Sequence, residues 1–140
     1  DLDSYIEEKE GKSISKVFED YGESYFRRIE TKSLEDIIKL NSCIVSCGGG
    51  TPCFNNNMEM LTLAGCSIYM KVSVKILFDR LKSEKSKRPL IANMTDDQML
   101  EFINYKLKQR SLFYEQSSHI YNNVLESEEM FVKRLNSFLM

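Results

Sequence analysis

An α/β fold is predicted by two features of the sequence. Segments with helical apolar spacing alternate along the chain with short apolar runs, and one of those runs is apolar almost throughout, as strands covered on both faces are. The chain has 140 residues, the size of one domain. Hydrophobic residues make up 42% of it, enough for a buried core, and charged residues 29%, an ordinary soluble surface.

The elements follow in order. Ile14, Val17, Phe18 and Tyr21 fall at i, i+3, i+4 and i+7, the apolar face of a short helix with Ser13 as its N-cap and Gly22 at its end. A longer helix carrying Phe26, Ile29, Leu34, Ile37 and Ile38 comes next. Cys43-Ile44-Val45-Ser46-Cys47 is the continuous run, read as a strand that stops at Gly48-Gly49-Gly50. Asn57 to Ala64 reads as a helix closed by Gly65, and Ile68 to Val72 as a strand. Ser73 caps a helix whose face carries Val74, Leu77, Phe78 and Leu81. Residues 83–87 are polar and aperiodic, which marks them as mobile. Thr95-Asp96-Asp97-Gln98 is a capping box, and the helix it starts carries Met99, Ile103 and Leu107 and runs to Tyr114. A strand at His119 to Asn122 and an amphipathic helix with Phe131, Leu135 and Phe138 complete the pattern.

Charge and composition exclude several classes of function. The net charge of -2 argues against nucleic acid as a partner, because phosphate backbones demand a basic face. No apolar run approaches the ~18 residues a membrane span needs, and no signal peptide opens the chain. The first residue is Asp1, as expected of a cleaved chain or one that continues upstream. Cys43, Cys47, Cys53 and Cys66 lack the paired close spacing of a zinc site and read as reduced, partly buried thiols, which fit the cytosol.

A few residues have the chemistry for a site. In an extended segment the carboxylates of Asp1 and Asp3 point to one face. Such a pair can hold Mg2+ through water and accept a proton from a hydroxyl, or can simply cap a helix. Gly48-Gly49-Gly50 after an apolar run lets a ligand approach backbone N–H groups, or makes a tight turn. Strand carboxyl ends are where open α/β sheets bind ligands. Arg27 and Arg28 lie on one helix and Arg110 on another; arginines converging from separate elements clamp a carboxylate, while scattered ones are solvated surface. Arg88, after a polar stretch, either meets a phosphate from a closing flap or lies in a flexible surface loop. His119, between apolar neighbours, reads as a packed strand residue.

Taken in order, these motifs resemble the shikimate kinase family over nearly the whole chain. The resemblance is carried by Asp1-Leu2-Asp3 with Ile6-Glu7, by Gly11-Lys12-Ser13-Ile14, by Phe18 with Gly22-Glu23, and by Phe26-Arg27 with Glu30. It continues through Ile44 to Gly50, through Leu81 to Arg88-Pro89-Leu90, and to Arg110 with Tyr114.

The resemblance implies an ATP- and Mg2+-dependent kinase that phosphorylates the 3-hydroxyl of shikimate, cytoplasmic and monomeric, without nucleic acid or membrane partners. It implies that Asp3 binds the ring hydroxyls and orients or deprotonates the attacking one, and that Arg27 and Arg110 grip the carboxylate. The N–H groups around Gly48, Gly49 and Gly50 support the substrate. Asp1 and Ser46 hold the Mg2+ shell through water, Arg80 lies against adenine, Arg88 is the lid arginine, and Glu30 steadies the clamp. It further implies one domain over residues 1–140, with a substrate-binding helical region at about 3–40 and a mobile lid at about 83–97. The implied fold is a three-layer P-loop kinase with a mostly parallel central sheet.

The family's first strand, Gly-x-x-x-x-Gly-Lys-Ser/Thr loop and first helix have no counterpart in these 140 residues, and Asn122 to Glu129 lacks its usual adenine-side motif. The rivals are another kinase of the same fold, such as a gluconate kinase, and a non-catalytic anion-binding module.

Overall fold

The structure is a computed structural model that describes residues 1–40, 42–85 and 91–139. The chain forms two compact units, residues 1–67 and 68–140.

In the first unit, α1 (Leu2–Glu10) and α2 (Ile14–Ile37) pack on each other. Asp1 caps α1, its Oδ1 accepting from the Ser4 N–H at 3.1 Å, and Asp3 sits in the first turn, where negative charge suits the helix dipole. Of the two readings of Asp1-Leu2-Asp3, the helix cap is the one the structure shows, and the extended segment is not formed. The helix wins because Leu2 and Ile6, four apart, are both fully buried. Gly11, left-handed at φ 63, ends α1, and Ser13 caps α2 by accepting from the Lys16 N–H. Gly22 interrupts α2 as expected: its φ 78 and ψ 176 are non-helical, so the first helical half ends there at a kink and the longer half follows. Leu2, Ile6, Val17, Phe26 and Ile37 form the core of this unit. Burial of each such side chain favours folding by roughly 1.5–3 kcal/mol.

Residues 43–48 join no sheet among the described residues. Val45 and Cys47 pack on the core while Ile44 and Ser46 are exposed, the alternation of a strand. The expected strand covered on both faces is therefore corrected: among the described residues this run joins no ladder, and Cys43, Ile44 and Ser46 are exposed. Among the described residues its backbone is tied to the start of α1, where the Leu2 N–H donates to the Ser46 carbonyl at 2.9 Å. After Gly48-Gly49-Gly50, a single 3-10 turn (Thr51–Cys53) leads to α3 (Asn57–Ala64).

In the second unit, β1 (Ile68–Lys71) and β2 (His119–Asn122) pair in parallel, with Ile68 opposite His119 and Lys71 opposite Asn122. Parallel strands need a long crossover; here it contains α4 (Val74–Ser83) and α5 (Asp96–Tyr114). Ser73 caps α4, and Thr95 with Gln98 forms the expected capping box of α5. Ile91, Met99 and Ile103 make a core against Val74, Leu77, Phe78 and Leu81. After β2, α6 (Glu128–Leu139) returns Phe131 onto the buried Tyr121, ring centroids 5.2 Å apart. No described helix is long and apolar enough to cross a membrane.

Candidate functional site

The kink at Gly22 leaves the second half of α2 with Arg27 and Glu30 three residues apart, hence on one face. Glu30 is buried, and a buried carboxylate needs partners for both oxygens. One accepts from Arg27 Nη1 at 2.9 Å and the other from the Thr51 hydroxyl at 2.7 Å. Glu23, one turn earlier, accepts from Arg27 Nε at 3.3 Å and Nη2 at 3.2 Å.

A face of the same guanidinium is covered by an aromatic ring, and a glycine lies toward its terminal-nitrogen edge. The Phe54 ring centroid lies 4.1 Å from its central carbon, and a Cβ on Gly50 would lie 2.9 Å from both terminal nitrogens. The glycine triplet therefore does a job beyond turning the chain: Gly50 lets the backbone lie against the arginine. Three N–H groups of Arg27 are engaged by the two glutamates, leaving two of the five a guanidinium carries. That remainder suits an external carboxylate. Beside it opens a cleft of about 800 Å³ bordered by Glu23, Arg27, Arg28, Lys32, Phe54 and Asn55.

Asp3 is partly buried at the start of α1. Desolvation, then the neighbouring charges of Glu30 and Glu7, push its carboxyl above the ordinary aspartate range, with Arg27 pulling the other way. A carboxylate in that state is a better proton acceptor near neutral pH. Burial, then Glu30 and Asp3, likewise push the Cys47 thiol up; all four cysteines are free.

Asp1 and Ser46 lie on neighbouring stretches of backbone, where the Leu2 N–H next to Asp1 donates to the Ser46 carbonyl. One oxygen of Asp1 is taken by the Ser4 cap; among the described residues the other accepts no hydrogen bond. A Mg2+ ion that keeps its waters needs only one or two protein oxygens, and the second Asp1 oxygen is of the chemistry that could serve it through water. Among the described residues no cluster of three or more His, Cys, Asp or Glu side chains could hold a metal.

The other expected site residues belong to the second unit. Arg110 is half-buried on α5 and makes no ion pair among the described residues; Arg80 is exposed on α4. Arg88, like the whole of 86–90, lies outside the described residues. His119 stacks on Phe138, centroids 4.8 Å apart, as a packed strand residue. Thr51 and Phe54 went unnoticed in the sequence. Neither has a patterned neighbour, and the available signal was their place directly behind three glycines.

The α/β arrangement is that of P-loop kinases. The crystal structure of shikimate kinase from Bacteroides thetaiotaomicron aligns with a TM-score of 0.86 and 36% identity, covering 99% of this chain and 81% of that one. That of shikimate kinase from Acinetobacter baumannii in complex with shikimate aligns at 0.78 and 26%, covering 99% and 76%. Among sequences, the shikimate kinase of Bacteroides fragilis is 39% identical over 121 residues, 86% of this chain and 68% of that protein. That of Flavobacterium johnsoniae is 42% identical over 121 residues, 85% and 70%. The shikimate kinase family model matches residues 1–139, and the chain belongs to that family. Its function is that of an ATP-dependent phosphotransferase in aromatic amino acid biosynthesis.

Proposed function

We propose that the first unit binds shikimate as phosphoryl acceptor, with Arg27 as the anchor of the substrate carboxylate and Asp3 as the residue that receives the reacting hydroxyl. One observation carries this reading: Arg27 is held edge and face by Glu30, Glu23, Phe54 and Gly50, yet keeps two N–H groups for a ligand. An arginine fixed by its own structure loses little freedom on binding and so serves recognition well. The Acinetobacter enzyme's complex with shikimate supports the choice of acceptor.

In this reading Arg110 supplies the second half of the carboxylate grip, and the backbone around Gly48, Gly49 and Gly50 lies along the bound ring. Asp3, its carboxyl raised by burial, accepts the hydroxyl proton as the oxygen attacks in line. Positioning and charge neutralisation dominate such transfers. Asp1 and Ser46 would hold Mg2+ through water; when bound, that ion neutralises phosphate charge. Arg80 lies along adenine, and Arg88 closes with a lid at about 83–97 to meet the transferring phosphate and exclude water. The enzyme acts as a single domain and a monomer in the cytoplasm.

An assay of ADP release by the full-length protein tests the reading, with shikimate, gluconate and a nucleoside monophosphate offered in turn. Shikimate is expected to be turned over fastest and to require Mg2+. Faster turnover of either other acceptor overturns it.

A further inference from the structure

We infer that Thr51 is a positioning residue of the substrate-carboxylate clamp, acting through Glu30 on Arg27. The inference rests on the reading of Arg27 as that clamp.

Thr51 directly follows the glycine triplet and is fully buried. Each of its polar groups is committed. Its N–H donates to the Gly48 carbonyl at 3.1 Å, its carbonyl accepts from Asn57 Nδ2 at 2.9 Å, and its hydroxyl donates to Glu30 Oε1 at 2.7 Å. Asn57 is itself fully buried in the first turn of α3. Thr51 is thus fixed from both sides of the chain, and its hydroxyl is a fixed point for Glu30.

A carboxylate is planar, so holding one oxygen orients the other. The other oxygen of Glu30 holds Arg27 Nη1 at 2.9 Å. The Thr51 hydroxyl therefore sets the plane of Glu30, and Glu30 sets the rotation of the guanidinium beside Gly50 and under Phe54. Thr51 is bonded in sequence to Gly50, so the loop and the arginine beside it are held in register by one short side-chain bond. Solvent barely reaches Glu30 and cannot replace a lost donor there.

The test uses the full-length kinase with Thr51→Val, Thr51→Ser and Arg27→Ala. Valine keeps the branched shape and removes the hydroxyl; serine keeps the hydroxyl. Shikimate and ATP are varied separately, and thermal unfolding is followed on each variant. Thr51→Val should raise the KM for shikimate roughly 3- to 30-fold, the scale of part of a charged hydrogen bond. The KM for ATP should move by less than about twofold, because an interaction lost on the acceptor side alone leaves nucleotide binding in place. Thr51→Ser should restore most of the loss. An unchanged shikimate KM in Thr51→Val overturns the inference. So does a serine variant as impaired as valine, or an equal change for both substrates. If Thr51→Val does not fold, Thr51→Ala against Thr51→Ser makes the same comparison with the same outcomes. A wild-type shikimate KM in Arg27→Ala overturns the clamp reading and this inference with it. A normal loss there beside a wild-type Thr51→Val overturns the Thr51 role alone.

Discussion

A methyl group on Gly50 would lie 2.9 Å from both terminal nitrogens of Arg27. The glycine has φ -85 and ψ -30, a conformation alanine adopts without strain. The atoms the methyl would meet are the end of the Arg27 side chain, which would have to move and so weaken its bond to the buried Glu30. Gly50→Ala should therefore disturb binding and stability together. It should cost about 1–3 kcal/mol, the scale of a buried carboxylate losing a donor. Its KM for shikimate should rise about tenfold or more, as expected when a charged hydrogen bond is displaced. Melting curves beside steady-state kinetics decide. A lowered Tm with normal KM would show that the slot matters to folding and not to the substrate.

Asp3 gives the opposite pairing, lost activity with gained stability. Its carboxyl is raised chiefly by burial, then by Glu30 and Glu7. A carboxyl that binds its proton more tightly when folded favours the folded state below its unfolded pKa, and that contribution is lost as pH rises through the folded pKa. At neutral pH the ionised Asp3 is thus a cost, which Asp3→Asn removes. The variant should melt about 1–3 °C higher at pH 7, with the gain shrinking as pH falls through the raised folded pKa and gone below about pH 4, as the aspartate becomes protonated in both states. Its turnover should fall roughly 10²- to 10⁴-fold, the usual worth of a positioned proton acceptor. In the wild type the acid limb of the rate profile should lie above the ordinary aspartate range. Melting curves at the two pH values and a rate profile check all three.

The kink in α2 depends on Gly22, whose φ 78 and ψ 176 lie in a region essentially closed to other residues. A Cβ there would meet no atom within 4 Å, so Gly22→Ala isolates backbone strain from crowding. It should cost about 1–3 kcal/mol in denaturant unfolding and loosen the Phe18–Phe26 stack, whose centroids are 4.6 Å apart. Gly65 is the control: its surroundings are equally open, but its φ of 177 is ordinary extended backbone. Gly65→Ala should be nearly neutral, and equal losses at the two positions would rule out strain as the cause.

What the sequence made legible follows from the range of the forces involved. Caps and apolar periods are local, so Ser13, Ser73, the Thr95–Gln98 box and both paired strands were readable. Residues 43–47 were readable as an apolar run, of which Val45 and Cys47 pack on the core, but ladder pairing and cover on both faces depend on neighbours no local pattern reveals. Helix α1 was missed because its apolar face shows only Leu2 and Ile6 fully buried, too short a stripe to see. In the site, Arg27, Glu30 and the glycines were found through the ordered motifs. Thr51 and Phe54 were not, since their significance lies in contacts spanning more than twenty residues of sequence, the Thr51–Glu30 bond among them.

The arginines should divide by role. Arg27 engages Glu23 through Nε and Nη2 and Glu30 through Nη1, with Phe54 on its face. Lysine has neither a fork nor a planar face to fill that slot. Arg27→Lys should therefore weaken shikimate binding nearly as much as Arg27→Ala, by roughly 10- to 150-fold, the worth of a charge-assisted hydrogen bond. Arg110→Ala should do likewise if it completes the grip. Arg88→Ala should instead lower kcat and leave shikimate affinity close to wild type, because its charge is wanted where negative charge rearranges in the transition state. Titration of shikimate without nucleotide, followed by steady-state kinetics on the same four variants, separates binding from turnover. Full affinity in Arg27→Lys would show that a point charge suffices and that the fork is irrelevant. Lost affinity with normal kcat in Arg88→Ala would place that residue in the clamp and remove it from phosphate transfer.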